Sequence, residues 1–468
     1  MNPLTDMTGA EIAAAVKAGK LTASGVTEAA LARTESLNPL LNAFTAITSE
    51  RALAKADAVD AEIAAGRDPG PLAGVPFAVK NLFDIKGLST LAGSKINRDL
   101  PAAGDDAALV KRMEAAGAVL TGALNMGEYA YDFTGQNAHD GDSRNPHDPD
   151  HMSGGSSGGS GTATAAGMAS ITLGSDTNGS IRVPSSFCGL FGLKPTYGRL
   201  TRAGTFPFVS SLDHLGPIAR STADLALSYD AMQGPDSDDP ACASRSVEPI
   251  MAELAKGIGG LRFAKAGGFF ERGAMPEAFE AVDRIAKAVG ADATRDVPHA
   301  EAARGAAYLI TMAEGASLHL DRLKTRHADY DPDVRDRLIA GAMIPGAWVA
   351  KAQKLRRAYH DAVLNLFETV DVILAPATPC RAPRIGQKTM VLDGVEMAVR
   401  PNIGIFTQPI SFIGLPVVSV PVWTEGKALP IGVQLIAAPW REDIVLRVAH
   451  HLETAGVVSA PVANVQET

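Results

Sequence analysis

Gly154-Gly155-Ser156-Ser157-Gly158-Gly159-Ser160, an Ala-rich spacer from Thr162 to Leu173, and then Gly174-Ser175-Asp176-Thr177-Asn178-Gly179-Ser180-Ile181-Arg182-Val183-Pro184 decide how this chain is read. A glycine–serine run alone is usually a flexible linker. Here the spacer is apolar, so the serines punctuate a folded core. Upstream, Gly74-Val75-Pro76-Phe77-Ala78-Val79-Lys80-Asn81 ends an apolar run on a single lysine. The pattern predicts strands over Val75 to Lys80, Ala118 to Leu124 and Ser170 to Gly174, with helices over Asp106 to Ala116 and Thr162 to Gly167. That alternation argues an α/β fold.

Outward from this centre, the first sixty-odd residues read as helices: Glu11 to Val16, Ala23 to Leu37, and a third capped by Ser49 and closed by Gly66. Asn137 to Met152 is polar and reads as a loop. Gly234 to Pro240 is turn-rich and marks a boundary in composition. Residues 247–350 read as a mostly helical segment covering the sheet. Val370 to Ala375 returns to strand, and Ile410 to Trp423, broken by Gly414, Pro416 and Pro421, reads as buried strands.

Composition narrows the function classes. The chain has 468 residues, 46% hydrophobic and 20% charged, so it can bury a large core. Its net charge is −9, from 43 basic and 52 acidic residues, without a Lys/Arg tract. Nucleic-acid binding needs concentrated positive charge and is not expected. Cys188, Cys242 and Cys380 are scattered, which suggests neither a disulfide framework nor a zinc site and fits a reducing cytoplasm. His147 and His151 lie in a Pro/Asp-rich stretch, a poor metal site. Asp6 and Glu11 interrupt any signal-peptide pattern, and no apolar run reaches membrane-spanning length.

Each motif also has a plain structural reading. Ser180 can cap a helix, Lys80 can extend its stem along apolar surface, and Ser156 can sit in a linker. Together they make a chemistry. An amide yields only to a nucleophile deprotonated as it attacks, with the oxyanion held. Lys80 behind Phe77, Ala78 and Val79 is buried, and burial favours the neutral amine that can take a proton. Ser156 can pass the proton from Ser180 to Lys80, while the turn at Asp176 to Gly179 aims backbone amides at one point. Gly155-Ser156-Ser157-Gly158-Gly159 also satisfies a Gly-x-Ser-x-Gly pattern. That makes Ser157 a rival nucleophile served by a histidine among His319, His327, His360, His450 and His451.

The three motifs, with Cys188-Gly189-Leu190-Phe191-Gly192-Leu193-Lys194-Pro195, resemble the amidase signature family over nearly the whole chain. The resemblance implies a single domain with a large mixed sheet covered by helices. Residues 1–66 would be its N-terminal helices, 74–220 its catalytic core and 247–350 a pocket-shaping segment. It implies Ser180 as nucleophile, Lys80 as base, and Ser156, after a cis peptide bond, as the bridge. Ser157 supports them, and the amides of Thr177, Asn178, Gly179 and Ser180 form the oxyanion hole. No metal or organic cofactor is implied. Most members carry glycine where this chain has Asn178. That departure, with Asn81-Leu82-Phe83-Asp84-Ile85 and Ile436-Ala437-Ala438-Pro439-Trp440, resembles a branch that releases ammonia from a small carboxylated urea-type amide. Members of that branch work with a small helical partner similar to the C subunit of tRNA-dependent amidotransferases, so a homo- or hetero-oligomer is expected. Tyr308 and Arg356 match substrate-contacting residues of the A-type amidotransferase subunits, whereas Gly404 stands where those subunits place an aspartate. The alternatives are a broad aliphatic or aryl amidase, and an A-type amidotransferase subunit.

Overall fold

Strand β1 (Phe44–Ile47) is followed by β2 (Pro76–Lys80), β3 (Val119–Leu124), the hairpin β4 (Arg144–Asn145) and β5 (Asp148–Met152), and β6 (Ile171–Asp176). Next come β7 (Phe191–Lys194), β8 (His214–Ala219), β9 (Phe263–Gly267), β10 (Ala293–Asp296) and β11 (Val372–Pro376). A second hairpin, β12 (Thr389–Leu392) and β13 (Val395–Ala398), precedes β14 (Val417–Val422) and β15 (Ile431–Ile436). In this computed structural model, which describes residues 2–465, 11 of these strands join one sheet in the order β1-β3-β2-β6-β8-β7-β14-β15-β11-β9-β10. The sheet is mixed: β3, β2 and β6 run parallel, the middle strands antiparallel, and β11, β9 and β10 parallel again. The expected single α/β domain with a mixed, helix-covered sheet is what the chain forms.

This topology brings the motifs together. β2 lies beside β6 with Val79 opposite Leu173, so Lys80 and Ser175 emerge at the same carboxyl edge. Both strands are buried along their whole length. That suits parallel strands covered on both faces. The helix Ala300–Arg326 packs on Pro332–Ala342, Gly346–Leu364 and the short Gln408–Phe412, forming a helical layer near that edge. Among the described residues no helix is long and apolar enough to cross a membrane.

A buried ion pair anchors the turn after β6. Arg182 donates to both carboxylate oxygens of Asp176, each at 3.0 Å, and to Gln434 Oε1 at 2.6 Å. Asp176 also accepts from the Ile181 amide at 3.2 Å and from the Ser411 hydroxyl at 3.0 Å. Both side chains of the pair are fully buried. Burial pushes the Asp176 carboxyl upward, but the Arg182 guanidinium outweighs it and holds the group well below the usual carboxylate range. The pair therefore stays ionised and ties two distant segments, those of Ser411 and Gln434, to the turn bearing Ser180.

Several boundaries differ from the sequence expectation. Thr48, not Ser49, is the N-cap of Ser49–Ala64, and its side chain makes no capping bond. The first helix runs Gly9–Lys17 behind a Thr8–Glu11 capping box, and the second continues past Pro39 to Leu41. The helix expected from Thr162 begins at Gly158 and ends at Ala165, because the Gly159 amide is held at 3.0 Å by the Asn125 carbonyl and docking overrides poor helix propensity. The expected loop 137–152 contains the β4–β5 hairpin. Segment 247–350 also contributes β9 and β10 to the sheet, which its charged composition disguised. Ile410 to Phe412 is helical, not strand, since Pro409 opens a helix at its first turn.

Replacing Arg182 by Met leaves Asp176 buried without its cation. The expected loss is about 3–5 kcal/mol, read as a lowered midpoint of urea unfolding.

Candidate active site

Lys80, at the end of β2, is fully buried, and among the described residues its hydrogen-bond acceptors are two hydroxyls: Ser156 Oγ at 2.6 Å and Ser175 Oγ at 2.9 Å. Burial lowers its pKa to about 7, opposed by Asp213, Asp176 and Asp132 acting from a distance. Near neutrality a substantial fraction is therefore the free amine. The peptide bond between Gly155 and Ser156 is cis. Ser156 enters from the segment ahead of helix Gly158–Ala165, and its buried hydroxyl faces the lysine. No hydrogen bond joins the Ser156 and Ser180 hydroxyls among the described residues. Catalytic hydrogen bonds in unliganded sites often tighten only with substrate.

Ser180 follows β6 in a turn whose amides are unusually free. Among the described residues, the backbone N–H groups of Thr177, Asn178, Gly179 and Ser180 donate to no protein acceptor. Buried amides are almost always paired, so consecutive unpaired donors around a serine are suited to a developing oxyanion. The turn is held rigid from outside. Thr407 Oγ1 donates to the Asn178 carbonyl at 2.7 Å, and Thr177 Oγ1 donates to Asp213 at 2.6 Å. Gly179 has φ +143°, and a Cβ there would fall 2.2 Å from Thr407 Oγ1, so only glycine fits.

Ser157 takes no part in a histidine system. Its hydroxyl donates to the Ser175 carbonyl at 3.2 Å and accepts from the Ser175 amide at 3.3 Å. None of the five histidines is hydrogen-bonded to it: His319 pairs with Tyr330, His450 with Thr222 and His360 with Asp361. Ser157 thus braces the strand bearing Ser175. Among the described residues, no group of three His, Cys, Asp or Glu side chains could hold a metal.

Ser180 opens into a narrow cleft lined by Asp132, Phe133, Asn178, Tyr308, Thr311 and Arg337, with about 20 Å³ of free space. That admits about one water. Tyr308 lies in the wall, its hydroxyl donating to the Pro401 carbonyl at 2.6 Å. Arg356 does not line this cleft. It is turned to the Phe412 carbonyl at 2.6 Å and the Ser211 carbonyl at 2.9 Å, because those carbonyls need donors where its helix meets the core. Arg337 is the cation at the cleft. It donates to the Tyr131 carbonyl at 2.5 Å and the Asp333 carbonyl at 2.7 Å, with its guanidinium carbon 3.9 Å from the centre of the Tyr131 ring. No carboxylate lies within 4.0 Å of it among the described residues. The acidic member of the wall, Asp132, is already engaged by Thr134, Gly135 and Arg400.

Sequence reading missed Ser175, Arg337 and Thr407. Ser175 was visible as a polar residue near the end of an apolar strand. Arg337 left no signal, since one arginine on a charged helix resembles any solvated one.

Comparison with known proteins gives this geometry a family. The amidase family model matches residues 25–446. The chain belongs to the amidase signature family. This amidase, a hydrolase acting on amides, is 53% identical over 448 residues to the AtzE component of 1-carboxybiuret hydrolase from Pseudomonas sp. (strain ADP), covering 96% of this chain and 98% of that one. It is 38% identical to the A-type subunit of the glutamyl-tRNA(Gln) amidotransferase from Geobacter metallireducens, covering 97% of this chain and 98% of the relative. Among solved structures it superposes with TM-score 0.96 and 52% identity on an s-triazine catabolic enzyme described as a vestigial protein complex, covering 97% and 100% of the two chains. The peptide amidase of Stenotrophomonas maltophilia matches at TM-score 0.85 and 27% identity, covering 99% and 100%.

A site that uses the neutral amine of Lys80 as its base loses activity as that amine is protonated below its pKa. In the amidase, kcat/KM should climb roughly tenfold per pH unit on the acid side and level off above a midpoint near 7. A pH profile flat from 5 to 8 would remove Lys80 as the base.

Proposed function

We propose that the amidase hydrolyses 1-carboxybiuret or a closely similar small carboxylated urea-type amide. Ser180 Oγ adds to the terminal amide carbonyl while its proton passes through Ser156 to Lys80. The free amides of Thr177 to Ser180 receive the oxyanion. On collapse the departing NH2 group takes the proton back from Lys80 through Ser156 and leaves as ammonia, giving an acyl-Ser180 ester. Water, deprotonated by the same relay, then releases the acid and restores the serine. The observation that carries this reading is Lys80 Nζ at 2.6 Å from Ser156 Oγ, together with a turn whose amides from Thr177 to Ser180 have no acceptor among the described residues.

The substrate class rests on the cleft and on the 53% identical relative. Arg337 is a desolvated cation without a carboxylate partner, and burial lowers its pKa. A substrate carboxylate would supply the missing charge with paired N–H donors. Glutamine is disfavoured at position 404. A Cβ on Gly404 would lie 2.4 Å from the Phe133 ring, so an aspartate to hold an ammonium does not fit unless Phe133 moves. In this reading residues 247–350 shape the acyl side through Tyr308, Thr311 and Arg337, and residues 74–220 supply the reacting groups. A small helical partner similar to the amidotransferase C subunit, and a cytoplasmic setting, complete the proposal. They are supported by the complex formed by the structural neighbour and by three unpaired thiols.

The test is ammonia release from freshly prepared 1-carboxybiuret, with biuret, malonamate and glutamine alongside. Wild type should favour carboxybiuret, Ser180→Ala should abolish turnover, and Arg337→Ala should raise KM for carboxylated substrates at least tenfold while leaving biuret little changed. Preference for glutamine, or full activity in Ser180→Ala, would overturn the reading.

A further inference from the structure

Asn178 presents a buried acceptor that no group among the described residues satisfies. The residue is 7% exposed and lies in the cleft wall with Ser180. Its Nδ2 donates to Thr311 Oγ1 at 2.9 Å, which orients the amide. Its Oδ1 is buried without a partner among the described residues. Its backbone cannot swing to relieve this, because Thr407 grips the Asn178 carbonyl and the next residue is the tightly fitted Gly179. An unpaired buried acceptor is costly, and buried polar groups left alone in native proteins often serve a ligand.

The position of the group decides which ligand atom it meets. A carbonyl held between Ser180 Oγ and the amides of Thr177 to Ser180 has two substituents. The leaving amine brings N–H groups common to every primary amide, so a residue departing from the family's usual glycine has nothing to distinguish there. The acyl-side neighbour does vary: it is CH2 in aliphatic amides and N–H in ureas. Resting on the acyl-Ser180 reading above, we propose that Asn178 Oδ1 accepts the acyl-side N–H of a urea-type substrate, and that the Asn178–Thr311 pair selects ureas over aliphatic amides of the same shape. Thr311 is a positioning residue in this arrangement, since it acts through the asparagine.

The experiment uses two stable probes that differ at that atom. N-carbamoylglycine carries the N–H and a carboxylate; succinamate carries CH2 in its place. Their dissociation constants are measured by calorimetry on Ser180→Ala protein, so binding is read without turnover and independently of whether carboxybiuret is a substrate. The N–H probe should bind roughly 5- to 50-fold more tightly, and the ratio should fall to within about twofold when Asn178→Gly or Asn178→Ala is added. Thr311→Val should shrink the ratio and Thr311→Ser should restore it, and these changes stand in if the Asn178 variants fail to fold. Equal affinities in the parent protein, no binding of either probe, or a preference that survives Asn178→Gly overturns the proposal.

Discussion

Holding an ammonium-bearing side chain where water cannot reach it, and where no carboxylate touches it, is the constraint on which this site depends. Among the described residues Lys80 has two hydroxyl partners and no ion pair. Desolvation then does what a solvated lysine cannot do and brings a base within reach of neutral pH. The surrounding architecture serves that condition. β2 and β6 are buried over their full length, so the lysine ends its strand inside protein. Nearby carboxylates are kept at a distance and occupied elsewhere: Asp176 by Arg182, Asp213 by Thr177 and two backbone amides, and Asp132 by Thr134 and Gly135. A direct contact with any of them would favour the protonated amine and remove the base.

Two kinds of polar burial meet at the turn after β6. Asp176 and Arg182 are fully satisfied, and their network stiffens the segment. The amides of Thr177 to Ser180 and the side-chain oxygen of Asn178 are left unsatisfied in the same turn. Unpaired buried groups are tolerable only where the surrounding structure is over-determined. The ion pair, Thr407 and Gly179 supply that excess of constraint. The rigid scaffold therefore comes from the sheet and the turn after β6, while the opposite wall of the cleft comes from a helical layer placed against them, which carries Tyr308, Thr311 and Arg337.

Much of this was legible along the chain. The two serine clusters and the lysine at the end of an apolar run are local signals, because a buried base and a tight turn need particular residues at neighbouring positions. The same holds for the α/β alternation, which follows from hydropathy period. Other features were hidden for physical reasons. β9 and β10 are short strands at one side of the sheet, β9 only partly buried and β10 largely exposed, so their composition resembled the helices around them. Gly158 to Ser160 form a helix only because Asn125 waits for their backbone. Arg356 and Arg337 are alike in sequence, both on charged helices, yet one binds core carbonyls and the other reaches the cleft.

The sequence by itself determined the family, the tight turn bearing Ser180 and a lysine at the end of a buried strand, since these depend on residue types within short stretches. Only the tertiary structure decided that Ser175 is the second partner of Lys80, that Arg337 and not Arg356 faces Ser180, and that Asn178 keeps an acceptor free. Those outcomes depend on which donors and acceptors from distant segments find each other first. Once the backbone carbonyls of Phe412 and Ser211 have taken Arg356, and Thr311 has taken one end of the Asn178 amide, what remains unpaired at the cleft is set by packing.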